Sequence, residues 1–502
     1  MTLINTKHKI LALALVAIVS SCSKDFLEVK PEGTALEESY YSTPEEAYSG
    51  LIAVYDILGK QSRGFENMVT MMNAGSDDHY AGGGGATDGA GIQSFSNYSI
   101  DASTIPASYW NDFYQGVFRA NVLLDKLPDV PMDETLKSRY AAETKALRAH
   151  FYFELVRMFK NIPLIIEPLE TSQIYEVAQA NPEEVYAQIE TDLKEAIPNL
   201  PLKITDLENE AGRLSQGTAM AILGKVYLYE GKNDLAASTL AQVNGTPGGT
   251  SKYGYKLLND YNNLWVISNK FNTESILESS HTDQSNAGWG NWGSGSDEGN
   301  SINIMVGPRN YNASEDGPDY VSGWSFNPIT QNLYDAMKED PRFDATIADV
   351  KALKEDGLAD YSPGYLDTGY FLKKFMPLNS DKSTGGGAVE LNFKQDVYII
   401  RLADTYLMEA EALGAQGSRA QALLDAVRAR VGLASTPVSM DAIMHERRME
   451  LAGEGHRWFD LVRTGKAASV LADRGFTAGK NEIFPIPLQE MENTLIEQNP
   501  NY

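Results

Sequence analysis

The segment HERRMELAGEGHRWFDLVRTGK, residues 445–466, combines a high density of charged side chains with apolar residues at helical spacing. Within it, Glu446 and Glu450 lie about one helical turn apart and flank Arg447 and Arg448. The apolar neighbours indicate that these charges are partly buried, where arginine forms two-point hydrogen bonds with carboxylates. The Gly-Glu-Gly sequence that follows interrupts the helix and lets the chain turn into a second one. An active site is the functional alternative, but we interpret the charges as an ion-pair network that holds two helices together.

Two shorter motifs accompany this segment at the C-terminus. They are Phe-Pro-Ile-Pro at residues 484–487 and Gln-Asn-Pro-Asn-Tyr at residues 498–502. Together with residues 446–465, they are similar to the C-terminal signature of the SusD/RagB family, the nutrient-binding outer-membrane lipoproteins of Bacteroidetes. That family usually ends in Asn-Pro-Gly-Tyr, and Asn501 replaces the glycine here; asparagine also tolerates left-handed turn conformations. Gly453 is a second small departure from the family pattern.

The resemblance implies a mostly α-helical, SusD-like fold with tetratricopeptide-like helix pairs and an irregular, loop-rich ligand-binding region. It also implies a nutrient-binding protein, with a glycan as the usual ligand and a peptide in some family members. In this family the lipoprotein delivers its ligand to a SusC-like, TonB-dependent transporter and acts as a lid over the transporter barrel. The resemblance implies no catalytic residue, no cofactor and no metal ion.

The N-terminus has the features of a lipoprotein leader. Lys7 and Lys9 precede an apolar run that is too short to span a bilayer. Small residues then lead to Cys22, the single cysteine of the chain, so we predict cleavage before Cys22 and acylation there, and no intrachain disulfide. We therefore expect a signal peptide over residues 1–21 and a lipid-anchored tether over residues 22–42. The family resemblance further implies that the protein lies on the outer membrane and faces the cell exterior. The alternative is an ordinary leader with an incidental cysteine.

The composition excludes one class of partner. The chain has 502 residues and a formal net charge of −26, and the phosphates of nucleic acids require cationic partners. The acidic balance is compatible with a neutral ligand, although solubility alone also explains it. The length is sufficient for more than one domain. From the family resemblance we divide the body into an N-terminal helical region, residues 43–270, and a C-terminal region, residues 271–502, which contains the signature.

Helix signals recur along both regions. The sequence Thr-Pro-Glu-Glu at residues 43–46 has an N-cap residue, proline at the first helical position and glutamate at the third, and Asn-Pro-Glu-Glu at residues 181–184 repeats the pattern. Residues 223–236 hold the spacing of a tetratricopeptide repeat, in which small side chains let two helices approach closely. Residues 397–414 and 418–431 form a second candidate helix pair. Such pairs normally serve as a scaffold or a docking surface.

Residues 281–327 lack helical periodicity and are rich in glycine, asparagine, serine and aromatic residues. Three of the six tryptophans of the chain, Trp289, Trp292 and Trp324, lie in this segment together with Tyr311. Exposing tryptophan to water is unfavourable, so its presence in a loop needs an explanation. Either the rings fold back onto the core, or they form a platform on which sugar rings stack while nearby polar groups bind the hydroxyls. We favour the platform and predict that these four residues bind the ligand.

A second candidate loop lies within residues 73–101, where the helical pattern breaks. Asp77, Asp78, His79 and Tyr80 precede a run of four glycines in this loop. The glycines lack the Lys-Ser/Thr of a phosphate-binding loop, and a calcium loop would need more regularly spaced carboxylates. Two interpretations remain open, a ligand-binding loop that uses these four side chains and an inert surface loop.

No catalytic motif accompanies these loops. The sequence contains no His-Glu-x-x-His zinc motif, no Gly-x-Ser-x-Gly elbow and no Walker loop, and its six histidines show no metal-ligand spacing. A surface glycosidase with two carboxylates is the enzymatic alternative, but any chain this acidic contains pairs of acidic residues by chance. Two non-enzymatic functions also remain open, a peptide-binding uptake protein and a lid without ligand affinity of its own. The sequence does not specify which glycan, or whether a peptide, is bound.

Overall fold

The structure is a computed structural model that describes residues 41–170 and 172–502. The predicted signal peptide, the predicted lipidation site Cys22 and most of the predicted tether therefore lie outside the described residues. Within the described part of the chain, no helix is both long enough and apolar enough to cross a membrane.

Helices make up most of the regular structure, and the strands are short. The α-helices, numbered in chain order, are α1 (Pro44–Tyr55), α2 (Met68–Ala74), α3 (Ala90–Ser96), α4 (Ser108–Lys126), α5 (Glu134–Phe159), α6 (Pro182–Ala196), α7 (Gln216–Tyr229), α8 (Asn233–Asn244), α9 (Ile302–Val306), α10 (Gln331–Met337), α11 (Phe343–Thr346), α12 (Val350–Glu355), α13 (Leu402–Ala412), α14 (Gly417–Arg430), α15 (Met440–Glu450), α16 (Arg457–Arg463) and α17 (Ala467–Val470). The strands are β1 (Ile162–Pro163), β2 (Gln179–Ala180), β3 (Ser275–Ser279), β4 (Arg309–Ala313), β5 (Ile347–Asp349), β6 (Ala359–Ser362), β7 (Tyr370–Leu372) and β8 (Val397–Arg401). The fold is mostly α-helical, as predicted.

Two helices begin at the predicted capping sequences. At α1, the Thr43 hydroxyl accepts a hydrogen bond from the Glu46 amide at 3.2 Å, and the Glu46 carboxylate accepts one from the Thr43 amide at 3.1 Å. Asn181 and Glu184 make the same reciprocal pair at α6, at 2.9 and 3.1 Å. These bonds satisfy amides that the first turn of a helix leaves without partners. The predicted starts of both helices are confirmed.

Helices α4 to α8 pack side by side in chain order, and α13 extends the row by packing against α8, with α14 packed against α13. The predicted tetratricopeptide-like pair is α7 with α8. Its helices are so close that a Cβ atom on Gly224 would lie 2.6 Å from the Leu240 side chain, which explains the glycine at this position. The second predicted pair is α13 with α14, and both pairs are confirmed. The row also contains α4, α5 and α6, whose sequences show no readable repeat spacing.

The strands form two-stranded antiparallel sheets that link distant parts of the chain. Strand β3 pairs with β8, with Ser275 opposite Arg401 and Ser279 opposite Val397. The remaining pairs are β1 with β2, β4 with β6, and β5 with β7. The largest group of buried apolar residues extends from Ala47 in α1 to Ile486 near the C-terminus. The regions before and after residue 270 therefore share one apolar core.

The signature segment folds as two helices joined by a glycine turn, as predicted. Helix α15 ends at Glu450, and α16 begins at Arg457. Between them, Gly453 and Gly455 have φ angles of 78° and 81°, a left-handed conformation that favours glycine. Near the C-terminus, Asn501 has a φ of 74°, so asparagine occupies the left-handed position where the family usually has glycine.

A buried ion-pair network surrounds Glu450. Its carboxylate accepts hydrogen bonds from Arg401 at 2.5 Å and from Arg342 at 2.9 Å, and it also pairs with Arg430. Burial by itself raises the pKa of Glu450, but the three arginines outweigh it and hold the pKa well below its usual range. The arginines come from separate elements, so the network joins α15 to β8, to α14 and to the turn before α11. The structural interpretation of the signature charges is confirmed.

Candidate functional site

Trp289, Trp292 and Trp324 are in mutual contact and form a cluster that we call the tryptophan triad. The ring centroids lie 5.7 Å apart for Trp289 and Trp292, 5.4 Å for Trp292 and Trp324, and 5.8 Å for Trp289 and Trp324. Trp289 and Trp324 are inclined by only 27°, whereas Trp292 stands at 74° and 85° to them. Trp289 is 59% exposed, and the remaining two rings are partly buried. The structure thus brings together three of the four aromatic residues predicted to bind the ligand.

The loop of residues 288–296, which carries two of the triad tryptophans, is held at both ends. At its start, the Ala287 amide donates to Asn392 Oδ1 at 3.1 Å, and Asn392 Nδ2 donates to the Ala287 carbonyl at 2.9 Å. At its end, the buried carboxylate of Asp297 accepts a hydrogen bond from the Gly293 amide at 2.7 Å. Because both anchors are buried, the position of the loop is set by the core.

Trp292 connects the triad to the apolar interior. Its Nε1 donates to Ser301 Oγ at 2.8 Å, and the Gly64 amide donates to the same oxygen at 2.8 Å. The ring packs edge-on against Phe65, with centroids 6.1 Å apart, and Phe65 packs against the buried Phe326 at 5.0 Å. The sequence left two interpretations for the tryptophans, folding back onto the core or forming a platform. The structure combines them, because Trp292 rests on the core while another ring of the triad remains exposed.

The triad offers flat apolar faces in two orientations. Trp289 and Trp324 lie nearly parallel to each other, and Trp292 stands almost perpendicular to both. Aromatic faces attract apolar surfaces and the C–H groups of flat ligands. Since the rings do not share a plane, the surface they form is bent.

Asp77 and Asp78 are engaged in ion pairs with the signature segment. Asp77 accepts two hydrogen bonds from the Arg457 guanidinium, at 2.8 and 2.9 Å, and Asp78 accepts one from Arg448 Nε at 2.7 Å. Burial raises the pKa of Asp77, but Arg457 and Arg448 outweigh it, and the net shift is downward. These carboxylates therefore fasten their loop to the C-terminal helices, and we leave them out of the proposed site.

His79 and Tyr80 also make contacts within the fold. His79 is fully buried, and its Nδ1 lies 3.0 Å from the Asn327 carbonyl. Burial lowers the pKa of His79 to about 4, so the ring is neutral at physiological pH. The Arg474 guanidinium lies over the Tyr80 ring, 4.7 Å from its centroid. For these four side chains, the contacts favour the inert loop of the two interpretations that the sequence left open.

Tyr311 contacts different residues from the tryptophans. It lies on β4, is almost fully buried, and its hydroxyl donates to the Pro318 carbonyl at 2.7 Å. Its ring packs against Tyr320, with centroids 5.6 Å apart. Tyr311 therefore belongs to the apolar cluster around β4 and β6, and we leave it out of the proposed site.

The described residues contain no group of three or more histidine, cysteine, aspartate or glutamate side chains that could hold a metal ion. The carboxyl group with the most elevated pKa is that of Glu278, on β3. Burial and then the charge of Asp396 raise the pKa of Glu278 to about 8. Lys270 donates to Asp396 at 2.5 Å, and the Phe271 amide donates to Glu278 at 3.1 Å. Glu278 and Asp396 are therefore two buried carboxyl groups at the place where β3 pairs with β8.

Comparison with known proteins places this geometry in a family. Residues 273–482 match the model of the SusD family, and residues 25–228 match a family described as starch-binding and associating with the outer membrane. The solved structure of a laminarin binding SusD-like protein is 65% identical to this chain, with a TM-score of 0.91. The alignment covers 92% of this chain and 100% of that protein.

The chain belongs to the SusD family.

More distant relatives share the same fold over nearly their full length. SusD-like protein P38 from Formosa agariphila is 25% identical to this SusD-family protein over 99% of both chains. Surface glycan-binding protein A from Bacteroides thetaiotaomicron, solved in complex with laminarihexaose, is 25% identical, with a TM-score of 0.80. That alignment covers 91% of this chain and 99% of the solved one. The fold predicted from the C-terminal motifs is therefore the fold of the whole described chain.

Sequence reasoning missed the residues that support the triad in this SusD-family protein. Phe65 and Phe326 lie beneath Trp292, and Ser301 holds its indole nitrogen. Phe65 follows a short helix far from the tryptophan loop in the chain, and no local pattern connects the two. The structure explains the glycine before Phe65, because a Cβ atom on Gly64 would lie 2.9 Å from the Cα of Gly293 in the loop.

Proposed function

We propose that this SusD-family protein captures a neutral glycan at the tryptophan triad, and that the glycan is a β-1,3-linked glucan of the laminarin type. The observation that carries the proposal is the cluster of three tryptophans in an anchored loop region, with Trp289 59% exposed. An exposed tryptophan in contact with two partly buried ones forms a contiguous apolar surface, and such surfaces commonly mark the site of a ligand or partner. Sugar rings have apolar C–H faces that stack on indole rings, so an oligosaccharide is a suitable ligand.

The shape of the triad supports a curved glycan. A β-1,4-linked glucan is an extended, flat ribbon and is matched by aromatic rings that share a plane. A β-1,3-linked glucan bends along its length, so successive sugar rings face different directions. The triad has one ring at 74° and 85° to the remaining two, which suits the second geometry. The similar proteins named for laminarin and laminarihexaose support the same ligand class.

The cellular role follows from the family. We propose that Cys22 is acylated, that the lipid anchors the protein to the outer membrane with its body facing the exterior, and that a SusC-like, TonB-dependent transporter receives the glycan. The protein then contributes affinity and no chemistry, since stacking and hydrogen bonding suffice to hold the ligand. If the protein were a glycosidase or bound peptides, the experiment below would give a different result.

The test is calorimetry of the purified protein against laminarihexaose, cellohexaose, maltohexaose and a peptide pool, with reducing ends assayed in parallel. We expect binding of laminarihexaose that exceeds binding of the remaining two hexaoses, without the appearance of new reducing ends. Replacing all three triad tryptophans by alanine should abolish binding. The matched control is Tyr175→Ala, which removes an aromatic ring that is 55% exposed and lies outside the triad. Binding of peptides alone, or release of reducing ends, would overturn the proposal.

A further inference from the structure

We infer that Asp88 and Arg309 form the polar side of the glycan site and hydrogen-bond adjacent hydroxyls of a sugar ring bound beside the tryptophan triad. This inference rests on the proposed glycan function and adds to it the residues that distinguish one neutral sugar from another. The two side chains meet at 3.1 Å, from Arg309 Nη2 to Asp88 Oδ2. They come from the glycine-rich loop and from the start of β4, two segments far apart in the chain.

The run of four glycines has a structural reason that concerns this pair. A Cβ atom on Gly83 would lie 2.6 Å from the Phe326 ring, and one on Gly84 would lie 2.9 Å from the Arg309 guanidinium. The Gly84 amide also donates to Asp88 Oδ2 at 2.6 Å. Side chains at these positions would push the loop away, so the glycines let Asp88 and Arg309 meet. The loop whose role the sequence left open is thus a support for this ion pair.

Arg309 is fixed next to one member of the triad. Its amide donates to Ser325 Oγ at 3.1 Å, and Ser325 directly follows Trp324 in the chain. The residues that precede Arg309 and Trp324 are also linked to each other, because the Gly323 amide donates to the Pro308 carbonyl at 2.9 Å. The segment that begins β4 therefore runs alongside the segment that carries Trp324.

Asp88 is connected to the triad by a second, independent contact. The next residue, Gly89, approaches Phe65 so closely that a Cβ atom there would lie 2.5 Å from the ring. Phe65 in turn packs against Trp292, with centroids 6.1 Å apart. Both partners of the ion pair are therefore linked to segments that support the triad, Arg309 to the segment that carries Trp324 and Asp88, through Gly89, to Phe65.

The pair retains free hydrogen-bonding capacity. The Asp88 side chain is 39% exposed and that of Arg309 is 34% exposed. Among the described residues, none hydrogen-bonds to Asp88 Oδ1 or Arg309 Nη1, and the buried Nε of Arg309 has no partner either. An ion pair at this exposure contributes little to folding. Its unused acceptor and donor can bind two hydroxyls of one sugar, one donating to the carboxylate and the next accepting from the guanidinium.

The same arrangement selects the chemical class of ligand. The pair is neutral as a unit, so it favours an uncharged hexose over a uronic acid or a sulfated sugar, which would place a second anion next to Asp88. A site built to hydrogen-bond a hydroxyl also discriminates strongly against a sugar that lacks it, because the charged groups then lose their partner. The triad supplies affinity for curved glucans, and the ion pair supplies the distinction among them.

The experiment measures the dissociation constant for laminarihexaose and the melting temperature for wild type, Asp88→Asn and Arg309→Met. Lys338→Met is the matched control, because it removes the cation of another exposed ion pair, with Asp335 at 3.0 Å. Each test variant loses a charge-assisted hydrogen bond to a ligand hydroxyl, so we expect affinity to fall about 10-fold to 100-fold. The melting temperatures and the affinity of the control variant should stay close to those of wild type.

The outcomes separate this inference from the proposed function. Suppose that Asp88→Asn and Arg309→Met bind laminarihexaose like wild type while Trp289→Ala does not. The role inferred for Asp88 and Arg309 is then wrong, and the role proposed for the triad is retained. If wild type binds no glycan, the proposed function fails and this inference fails with it. If Arg309→Met folds poorly, Asp88→Asn decides, because it keeps the size of the side chain. Reduced affinity at an unchanged melting temperature would support contact with the ligand, since a general loss of structure would lower both together.

Discussion

Replacing Trp289 by alanine is expected to separate ligand binding from folding. The ring is 59% exposed, and the described residues make no hydrogen bond to its indole nitrogen. Its removal therefore costs no hydrogen bond, but it removes the surface contacts with Trp292 and Trp324, so the free energy of unfolding should fall by about 1 kcal/mol. A central aromatic residue of a binding site typically contributes about 2 kcal/mol or more to affinity when truncated, which corresponds to about 30-fold in the dissociation constant.

Trp292→Ala provides the contrast within the same loop. Its indole nitrogen donates to Ser301 at 2.8 Å, and its ring packs on Phe65. Loss of the hydrogen bond costs about 1 kcal/mol and loss of the aromatic pair about another 1 kcal/mol. Because Trp292 makes these contacts in addition to those within the triad, we expect Trp292→Ala to lower affinity and to destabilise the fold by about 2 kcal/mol more than Trp289→Ala does.

Calorimetry with laminarihexaose gives the affinities, and urea unfolding followed by circular dichroism gives the stabilities. Both variants and wild type are measured in the same buffer. The reasoning would be refuted if Trp289→Ala retained wild-type affinity, or if it destabilised the fold as much as Trp292→Ala does. The first result would exclude the exposed ring from the site, and the second would show that the ring is part of the core.

Three further predictions concern the scaffold. Glu450→Ala leaves buried arginines without their carboxylate and should lower the free energy of unfolding by about 3–5 kcal/mol, whereas the exposed Glu134→Ala should have almost no effect in the same urea titration. Gly453→Ala should destabilise more than Gly465→Ala, because both have positive φ but a Cβ atom only at Gly453 would meet a side chain, at 2.3 Å; equal melting temperatures would contradict this. The pKa of Glu278 is raised from 4.5 to about 8 in the fold, so its protonated form contributes stability that is lost as pH rises through that interval. Glu278→Gln should therefore stabilise the protein more at pH 8 than at pH 5, and a pH-independent difference in unfolding free energy would show that the group does not titrate in this way.

Local chemistry allowed much of the scaffold to be predicted. The capping residues at Thr43 and Asn181 define helix starts because the bonds they make lie within four residues of each other. The same holds for the two helices of the signature segment, where glycines mark the turn. The sequence predicted that a buried ion-pair network exists, but not all of the residues that form it. Arg342 and Arg401 reach Glu450 from elements that the sequence does not place next to it.

The candidate site could be predicted only where the signal was compositional. Tryptophan in a glycine-rich loop is unusual enough to be recognised in a sequence. All three tryptophans of the triad were predicted from this signal. Charged residues gave no such signal, because the role of a carboxylate depends on which cation the fold brings to it. Asp77 pairs with Arg457 from the signature segment and stabilises the fold. Asp88 pairs with Arg309 at a partly exposed position and keeps a carboxylate oxygen without a hydrogen-bond partner among the described residues.

The buried anchors at both ends of the tryptophan loop make it an exchangeable part. At the start of the loop, Ala287 is hydrogen-bonded to Asn392. At its end, the buried carboxylate of Asp297 accepts a hydrogen bond from the Gly293 amide. Residues 288–296 can therefore differ between proteins, provided that position 292 keeps its contacts with Ser301 and Phe65. For protein engineering, this means that grafting a foreign loop between these two anchors is a direct way to give the same scaffold a new surface.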